Sequence, residues 1–296
     1  MPKISVLMPI YNTQEEHLRE AIESILNQTF KDFEFLILND SPLNAVLDTV
    51  VASYGDSRIR YIRNEQNMGI TPSRNKLLQM AEGEYIAVMD HDDISEPERF
   101  AKQVEYLDMH PDVGVVGCSS LHFPNGNIYT YPEDDLSIKE LLMDVCPILH
   151  PSSMLRKAVL DKFHICYEEE YTPAEDYRLW LRLIEHTKFH NLQEVLFRYR
   201  KHESRTSCTM ATRMGKATAR LHAWARHKYP HLWEVYSAEK HKCYIVKLFG
   251  AIPIVSILCT YRKTQICLFG IPLLSMRKKE RRHPAVTKLI GRDTRK

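Results

Sequence analysis

Short apolar segments of strand length alternate with helical segments over the first 120 residues, and this order constrains the fold more than any other feature of the chain. Apolar segments without polar alternation are typical of strands buried on both faces of a parallel sheet. Helices that connect such strands cover both faces of the sheet. We therefore predict an α/β, doubly wound, mostly parallel sheet, with strands at Ile4–Met8, Phe33–Leu38, Ile59–Arg63, Tyr85–Met89 and Val113–Cys118.

Two capping boxes predict helix starts, at Thr13-Gln14-Glu15-Glu16 and at Thr172-Pro173-Ala174-Glu175, the second with Pro173 at its first helical position. Pro72 suits the first turn of another helix, and further helices are predicted at about 45–54 and 95–109. Beyond residue 120 the pattern is less regular. Asn125-Gly126 indicates a hairpin turn, Phe189–Tyr199 a strand, and residues 206–242 a polar helical stretch.

The end of the chain is strongly basic, whereas the rest is acidic. Arg262–Lys296 holds eleven Lys and Arg against two Asp and Glu, so residues 1–261 carry −7 within the overall charge of +2. An apolar run, Cys243–Tyr261, precedes it, and a short repeat places Phe249-Gly250 and Phe269-Gly270 in similar apolar surroundings. Apolar elements beside dense positive charge favour an interfacial anchor on an anionic membrane surface. A helical hairpin packed on the rest of the protein is the alternative, and such an extension would equally suit dimerisation, so the oligomeric state stays open.

The cysteines and the first apolar segment allow a prediction of the cellular compartment. Seven cysteines without a CxxC pair indicate reduced thiols, and Ile4–Met8 is too short for the apolar core of a signal peptide. We therefore expect a cytoplasmic protein, peripheral on the cytoplasmic face of the inner membrane through its basic end. Nucleic-acid binding is disfavoured, because the basic residues flank apolar runs and the sequence holds no recognition motif for it.

Three carboxylates follow the apolar segment Tyr85–Met89, in Asp90-His91-Asp92-Asp93. Unpaired charge beside a buried strand is costly, and a hard divalent cation would offset that cost because it takes oxygen ligands. A solvated turn followed by a helix cap is the alternative. Polar clusters also follow two other strands, at Tyr11-Asn12 and Asn39-Asp40-Ser41, and doubly wound sheets bind ligands at such strand ends.

Five segments, taken in order, resemble the family 2 glycosyltransferases with the GT-A fold, over about residues 3–205. Each segment is weak alone, whereas their order and spacing together are specific. One departs from the pattern, since the family more often has an acidic residue at position 39. The segments are Ser5–Asn12 for the first strand and nucleotide-facing loop, Leu38–Ser41 for the second-strand aspartate, Asn67-Met68-Gly69 with Arg74-Asn75, Asp90–Asp93 for the D-x-D motif, and Glu175-Asp176 with Leu179-Trp180 for the E-D motif.

The resemblance implies a nucleotide-sugar donor, with UDP as its nucleotide. Tyr11 would stack on a uracil ring and Asp40 would accept from the uracil N–H, unless Asp40 is only a strand-end turn residue. Arg74 would donate to the diphosphate or a base carbonyl, with a helix-surface charge as the alternative. Gly69 would allow close backbone approach or form a plain turn. The other residues of the predicted donor-binding set are Pro9, Asn12, Asn67 and Asp90.

The resemblance also implies a divalent cation, Mn²⁺ or Mg²⁺, that bridges the donor phosphates. Asp92 would bind the cation, and Asp90 would contact the ribose or the metal shell. Asp93 either assists or begins the next loop, and His91 points away as a structural residue. His202, in Tyr199-Arg200-Lys201-His202, resembles a Y-R-x-H segment that approaches the diphosphate or metal in relatives, with an ordinary loop as the alternative.

Transfer of a sugar to a hydroxyl with inversion is a single displacement in which the incoming hydroxyl loses a proton. The resemblance assigns the base to Asp176, whose alternative role is compensation of a helix dipole. Glu175 would serve as helix cap and acceptor support. His150, in His150-Pro151-Ser152-Ser153, would line the acceptor side or belong to the core.

These features together predict an inverting glycosyltransferase that builds lipopolysaccharide, capsule or another surface glycan on a glycan or glycolipid acceptor. A GT-A catalytic domain would span residues 1–205, with a nucleotide-binding half at about 1–120 and an acceptor half at about 121–205, before a helical, partly apolar and basic extension at 206–296. One alternative is a nucleotidyltransferase, which the loop Pro9–Thr13 disfavours because it lacks Gly and Lys. The other is a non-catalytic, membrane-associated glycan-binding protein, which the presence of Asp92 and Asp176 disfavours.

Overall fold

The computed structural model describes residues 1–202, 205–248, 252–260, 263–268 and 271–277, with side chains described to residue 238 except at 206 and 207. The repeated Phe249-Gly250 and Phe269-Gly270 pairs and the basic residues from 278 onward lie outside the described residues. The chain divides into two compact units, Met1–Ala223 and Trp224–Lys296. The domain boundary at about residue 205 stays a prediction.

The first unit contains nine strands and most of the helices described for the chain. The strands are β1 Ile4–Ile10, β2 Phe33–Asn39, β3 Ile59–Arg63, β4 Tyr85–Val88, β5 Ile94–Ser95, β6 Val113–Phe123, β7 Asn127–Tyr129, β8 Met154–Arg156 and β9 Lys188–Arg200. The helices are α1 Glu15–Leu26, α2 Ala45–Ala52, α3 Ile70–Met80, α4 Arg99–Met109, α5 Asp135–Leu141, α6 Lys157–Phe163, α7 Glu175–Leu183, α8 Thr206–Thr209 and α9 Ala211–Lys228, whose last residues belong to the second unit. Helix α10, Pro230–Lys240, lies in the second unit.

The nine strands form one sheet in the order β3-β2-β1-β4-β8-β6-β9-β5, with β7 paired to β6. The pairs β1–β2, β1–β4, β2–β3 and β6–β9 are parallel, which confirms the predicted α/β class and its mostly parallel sheet. The sequence did not predict β8, which runs antiparallel between β4 and β6. A strand of three residues is too short to show a hydrophobic period.

The core lies where the central strands meet the helices. Every residue of β1 and β2 is buried, as expected for strands covered on both faces. Helix α1 packs through one apolar stripe, and α4 does the same through another. The buried apolar residues of these two helices are Leu18, Ala21, Ile22 and Ile25 in α1, and Phe100, Val104 and Leu107 in α4.

Both predicted capping boxes are wrong. Helix α1 begins at Glu15 after Gln14, and among the described residues the buried Thr13 hydroxyl has no hydrogen-bond partner. Helix α7 begins at Glu175, so Pro173 precedes the helix instead of opening it. The Thr172 hydroxyl pairs with that of Thr71 at 2.6 Å. The Glu175 carboxylate pairs with an arginine, a charge-assisted bond that outweighs a bond to a backbone N–H.

The structure also bears on the predicted hairpin turn, on the predicted start of α4 and on the cysteines. The predicted turn Asn125-Gly126 lies between β6 and β7, and Gly126 has the positive φ of +68° that such a turn requires. The predicted helix at 95–109 begins at Arg99 instead, because Ser95 pairs with β9 as part of β5. The cysteines whose side chains the structure describes are free thiols, namely Cys118, Cys146, Cys166 and Cys208.

The extension beyond residue 205 is helical only in its first part. Helices α8, α9 and α10 agree with the predicted helical stretch to residue 240. Beyond it, four strands replace the expected helix and pair antiparallel in chain order, because Ile- and Val-rich apolar segments favour strands. They are β10 His241–Leu248, β11 Ile252–Thr260, β12 Lys263–Leu268 and β13 Ile271–Arg277. Within the described part of the chain, every helix is too short or too polar to cross a bilayer.

Candidate active site

The carboxyl ends of five strands meet at one edge of the nine-stranded sheet. Strands β1, β2 and β4 are parallel, and β6 has the same direction as β4 because both are antiparallel to β8. Strand β9 is parallel to β6. This edge therefore gathers Tyr11 after β1, Asp40 after β2, Asp90 to Asp93 after β4, and His202 after β9.

Asp40 fastens the end of β2 to the loop before α3. Its Oδ1 accepts the backbone N–H of Met68 at 2.8 Å and the side-chain amide of Asn64 at 2.7 Å, and its Oδ2 accepts the N–H of Gly69 at 2.8 Å. A carboxylate offers about four acceptor positions, so about one remains on Oδ2, in a side chain that is only 3% exposed. Gly69 has a φ of +87°, which accounts for glycine there as a turn residue.

Arg74 joins two of the predicted motifs through its guanidinium group. Its Nη1 donates to Glu175 Oε1 at 2.6 Å and its Nη2 donates to Asp90 Oδ1 at 3.1 Å. Burial alone would lower the pKa of Arg74, but the charges of Asp90 and Glu175 outweigh burial and raise it. Arg74 is thus neither a helix-surface charge nor a side chain open to a diphosphate. It is a buried bridge between the D-x-D and E-D segments.

Asp176 lies in the first turn of α7, beside this bridge. Burial in the first place, and then the charge of Glu175, raise the pKa of its carboxyl to about 6, although Arg74 opposes that rise. Its Oδ1 accepts the backbone N–H of Tyr177 at 2.7 Å, and the side chain remains partly exposed. A carboxylate that is accessible and half ionised near pH 6 has the properties of a general base.

The Asp90–Asp93 loop faces the end of β9. His202 Nε2 lies 2.6 Å from Asp92 Oδ2, and both side chains are partly exposed. Asp93 is buried, and its Oδ1 accepts the backbone N–H of Arg200 at 2.7 Å. Burial, and then the charges of Asp92 and Asp90, raise the pKa of Asp93 well above its usual range.

One carboxylate oxygen and one imidazole nitrogen in contact form a donor pair that suits Mn²⁺ or Mg²⁺, provided that ligand oxygens supply the remaining positions. The pair is incomplete on its own, because the described residues contain no group of three or more metal-ligating side chains. The residues present therefore fit a cation that arrives with phosphate oxygens.

Comparison with known proteins decides the family. The model of glycosyl transferase family 2 matches residues 5–164. An uncharacterized glycosyltransferase of Methanocaldococcus jannaschii is 38% identical over 212 residues, which are 67% of this chain and 71% of that protein. The putative glycosyltransferase EpsE of Bacillus subtilis is 35% identical over 211 residues, or 68% of this chain and 73% of EpsE.

The chain belongs to glycosyl transferase family 2.

Solved structures agree on the fold of this glycosyltransferase. S. aureus TarS 1-349 in complex with UDP superposes with a TM-score of 0.61 at 22% identity, over 75% of this chain and 65% of that one. The mannosyltransferase PcManGT from Pyrobaculum calidifontis, in complex with GDP-Man and Mn²⁺, superposes with a TM-score of 0.54 at 17% identity, over 80% of this chain and 75% of that one. At these identities the likeness shows the fold alone.

The other predicted donor-binding residues of this glycosyltransferase differ in their exposure to solvent. Tyr11 is 51% exposed and Asn67 is exposed, so both are open to a ligand at the sheet edge. Asn12 is exposed too, and its backbone N–H donates to the Ser41 hydroxyl at 2.8 Å. Pro9 instead lies within β1, buried opposite Leu38, so it supports the strand end.

His150 belongs to the layer behind the site. Its side chain is buried, and its Nε2 lies 2.9 Å from the hydroxyl of Tyr167. Burial, followed by the nearby charge of Arg74, lowers the pKa of His150 well below its usual range. These contacts favour the core role over the acceptor-lining role.

Sequence reasoning assigned no role to several residues that hold the site together. Asn64 fixes Asp40, and Asn75 bonds both backbone groups of Tyr167, with Oδ1 accepting from its N–H at 3.0 Å and Nδ2 donating to its carbonyl at 2.9 Å. These partners are far apart in sequence, and neither segment has a pattern that would have identified the pairs. Arg200 was visible within the Y-R-x-H segment but had no role assigned to it.

Proposed function

We propose that this family 2 glycosyltransferase moves a sugar from a UDP-sugar to a hydroxyl group of a glycan or glycolipid, with inversion and with Asp176 as the base. One observation carries the proposal. Asp176 is an accessible carboxyl with a pKa of about 6, and Arg74 links its neighbour Glu175 to Asp90 of the D-x-D loop. The proposed proton acceptor is therefore next in sequence to Glu175, which Arg74 connects by hydrogen bonds to the donor-binding loop.

The reaction is a single displacement at the anomeric carbon. The acceptor oxygen forms a bond to that carbon while the bond to the diphosphate oxygen breaks, and Asp176 takes the hydroxyl proton. Holding both partners in line lowers the entropic part of the barrier. Asp176 then returns its proton to solvent, for which a pKa near 6 is well suited at neutral pH.

The donor nucleotide would lie across the ends of β1 and β2. The exposed ring of Tyr11 offers a stacking surface for a base, and Asp40 retains an acceptor position for a base N–H. UDP as the nucleotide is supported by the TarS complexes with UDP and UDP-GlcNAc, although PcManGT is in complex with GDP-Man. A screen of UDP-sugars identifies the sugar that is transferred.

Asp92 and His202 are the residues that would hold Mn²⁺ or Mg²⁺. When bound, the ion would neutralise charge that develops on the leaving diphosphate. Asp90 is held by Arg74 and would serve the ribose more readily than the ion. The pairing of an oxygen donor with a nitrogen donor favours Mn²⁺ over Mg²⁺.

We propose a surface-glycan acceptor, such as lipopolysaccharide or capsule, and a place on the cytoplasmic face of the membrane. The charge of the chain supports this proposal, because Arg262–Lys296 carries eleven basic residues against two acidic ones. Each basic residue near an anionic surface contributes roughly 1 kcal/mol to attraction.

The test is a screen of UDP-sugars with Mn²⁺ or Mg²⁺, in which released UDP and transferred sugar are measured for the full chain. Asp176→Asn and Asp92→Ala should each lower turnover at least about 100-fold. Asp161→Asn is the matched control, because this exposed carboxylate pairs only with Lys157 on α6 among its described ion-pair partners. Normal transfer by the first two variants would refute the assignment.

The same screen separates the alternatives. Release of pyrophosphate instead of UDP would favour a nucleotidyltransferase. UDP binding without dependence on Mn²⁺, together with no turnover, would favour a non-catalytic glycan-binding protein. Calorimetry with UDP, with and without Mn²⁺, measures that dependence directly.

A further inference from the structure

We propose that Asp93 is a positioning residue, whose carboxyl oxygen holds the backbone of Arg200 and thereby places His202 opposite Asp92. The inference rests on the proposed function in one respect, that the Asp92–His202 pair receives the cation. Asp93 itself does not face a ligand, since it is only 1% exposed. Its role would be to act through the segment that follows β9.

Three hydrogen bonds attach this segment to the D-x-D loop. The N–H of Arg200 donates to Asp93 Oδ1 at 2.7 Å, and Arg200 Nε donates to the backbone carbonyl of Asp92 at 2.6 Å. His202 Nε2 lies 2.6 Å from Asp92 Oδ2. The two bonds of Arg200 therefore fix the chain two residues before His202, whose imidazole contacts Asp92.

Arg200 is also held from the opposite side. Its guanidinium pairs with Glu20 of α1 and lies over the ring of Phe123, 4.5 Å from its centroid. The arginine side chain is 14% exposed, so most of its surface is in contact with protein. Removing its side chain would loosen α1 as well, which makes Asp93 the cleaner position for a test.

The bond from Asp93 extends the contact with β9 beyond the short pairing of β5. Strand β5 pairs with β9 through only two residues, Ile94 with Arg198 and Ser95 with Phe197. On its other side β9 pairs with β6 as far as Arg200, and the N–H of Lys201 donates to the Phe123 carbonyl at 2.9 Å. On the β5 side two paired residues hold little of the strand end, and the Asp93 side chain adds a bond just beyond them, at the last residue of β9.

Burial of the Asp93 carboxyl lowers the stability of the folded protein, because only one backbone hydrogen bond offsets the loss of water. Among the described residues, Asp93 Oδ2 has no hydrogen-bond partner. A buried polar atom left unpaired costs about 1–3 kcal/mol, so stability alone does not account for an acid at this position. Placement of the neighbouring ligand pair does account for it, since residues behind metal ligands orient them.

The experiment compares Asp93→Asn with Asp93→Ala and Asp93→Ser in the full chain. Asparagine retains an oxygen that accepts from Arg200, alanine removes it, and the serine hydroxyl is too short to reach. Hydrogen exchange of residues 199–202 reports on the tether, and calorimetric titration of Mn²⁺ in the presence of UDP reports on the cation site. Thermal unfolding shows whether each variant is folded, and Asp161→Ala is the control.

We expect Ala and Ser to speed exchange of residues 199–202 and to weaken Mn²⁺ binding about 10-fold or more, while Asn retains both within about 3-fold. Equal loss with Asn and Ala would overturn the proposal, because the negative charge would then matter instead of the acceptor. Unchanged Mn²⁺ affinity in Ala and Ser would overturn it as well.

The result is distinguishable from failure of the proposed function. If no UDP-sugar is turned over but the variants follow the expected order, the function is wrong and the positioning role stands. If wild-type protein binds no Mn²⁺ with UDP, the Asp92–His202 cation site is wrong, and the positioning role falls with it. Serine provides the second reading where the alanine variant does not fold.

Discussion

The pKa of Asp176 gives the most direct test of the proposed chemistry. Burial and Glu175 raise it from 3.8 to about 6, which corresponds to roughly 3 kcal/mol against the ionised form. With a midpoint at pH 6, about one tenth of Asp176 is ionised at pH 5 and about nine tenths at pH 7. We expect kcat at saturating donor and Mn²⁺ to rise about 10-fold across that range.

Glu175→Gln is the perturbation that isolates the electrostatic cause. Glutamine keeps the size of the side chain and an oxygen for Arg74, but it removes the negative charge beside Asp176. The negative charge of Glu175 raises the pKa of Asp176, whereas the positive charge of Arg74 lowers it. Without the charge of Glu175, the midpoint of the pH profile should therefore move to lower pH. The expected displacement is on the order of one pH unit.

The assay measures UDP release between pH 4.5 and 8 for wild type, Glu175→Gln and the surface control Asp161→Asn. The position of the midpoint is the readout, since the maximal rate of Glu175→Gln can also fall if Arg74 moves. Parallel titrations of Mn²⁺ separate the pH dependence of cation binding from that of the base. A flat profile from pH 5 to 7, or a midpoint that moves upward in Glu175→Gln, would refute the reasoning.

Three further predictions concern stability. Arg74→Met leaves Glu175 buried without its cation, so the free energy of unfolding in urea should fall by about 3–5 kcal/mol, and an unchanged urea midpoint would contradict the bridge. Asp176→Asn should lower transfer at least about 100-fold, yet it should raise the free energy of unfolding at pH 7 by about 1–3 kcal/mol. The reason is that ionisation of Asp176 makes the wild-type folded protein lose stability as pH rises from 3.8 to about 6, so the gain should disappear below pH 3.8. Asp40→Ala leaves the N–H groups of Met68 and Gly69 unpaired, so the free energy of unfolding should fall by about 1–3 kcal/mol. The variant should also bind UDP more weakly, and tight UDP binding would argue against the proposed contact of Asp40 with the uracil ring.

Much of the sheet was predictable because its central strands are buried on both faces. Such strands are mostly apolar, with only Ser5, Glu34 and Asn39 as polar residues in β1 and β2, so β1, β2 and β4 stand out in the sequence. Once these strands are taken as parallel, topology places the residues that follow them at one edge. The neighbourhood of Asp40 and Asp90 thus followed from pattern alone.

The pairing inside the site was not predictable. Arg74 and Glu175 are 101 positions apart, and each had a plausible local role as a helix-surface charge or a cap. Local patterns report on contacts within a few residues, whereas this contact depends on how α3 and α7 approach each other. The same limit explains the failure of the Thr172 capping box, whose hydroxyl bonds to Thr71 instead.

The extension shows a different limit. Cys243–Tyr261 is apolar with few charges, and such a run is equally consistent with helix or strand when its period is indistinct. Strands β10 and β11 occupy it in the structure. Its proposed contact with a membrane rests on the eleven basic residues of Arg262–Lys296.

The reversed strand β8 has a consequence for how this protein could diversify. Strand β8 is antiparallel to β6, and its first residue, Met154, pairs with Val116, seven positions before β6 ends at Phe123. The connection between the two strands contacts β4, because the Ser153 carbonyl accepts the N–H of Val88, whereas its hairpin tip at residues 124–128 is exposed. Insertions or exchanges there need not disturb the nucleotide side.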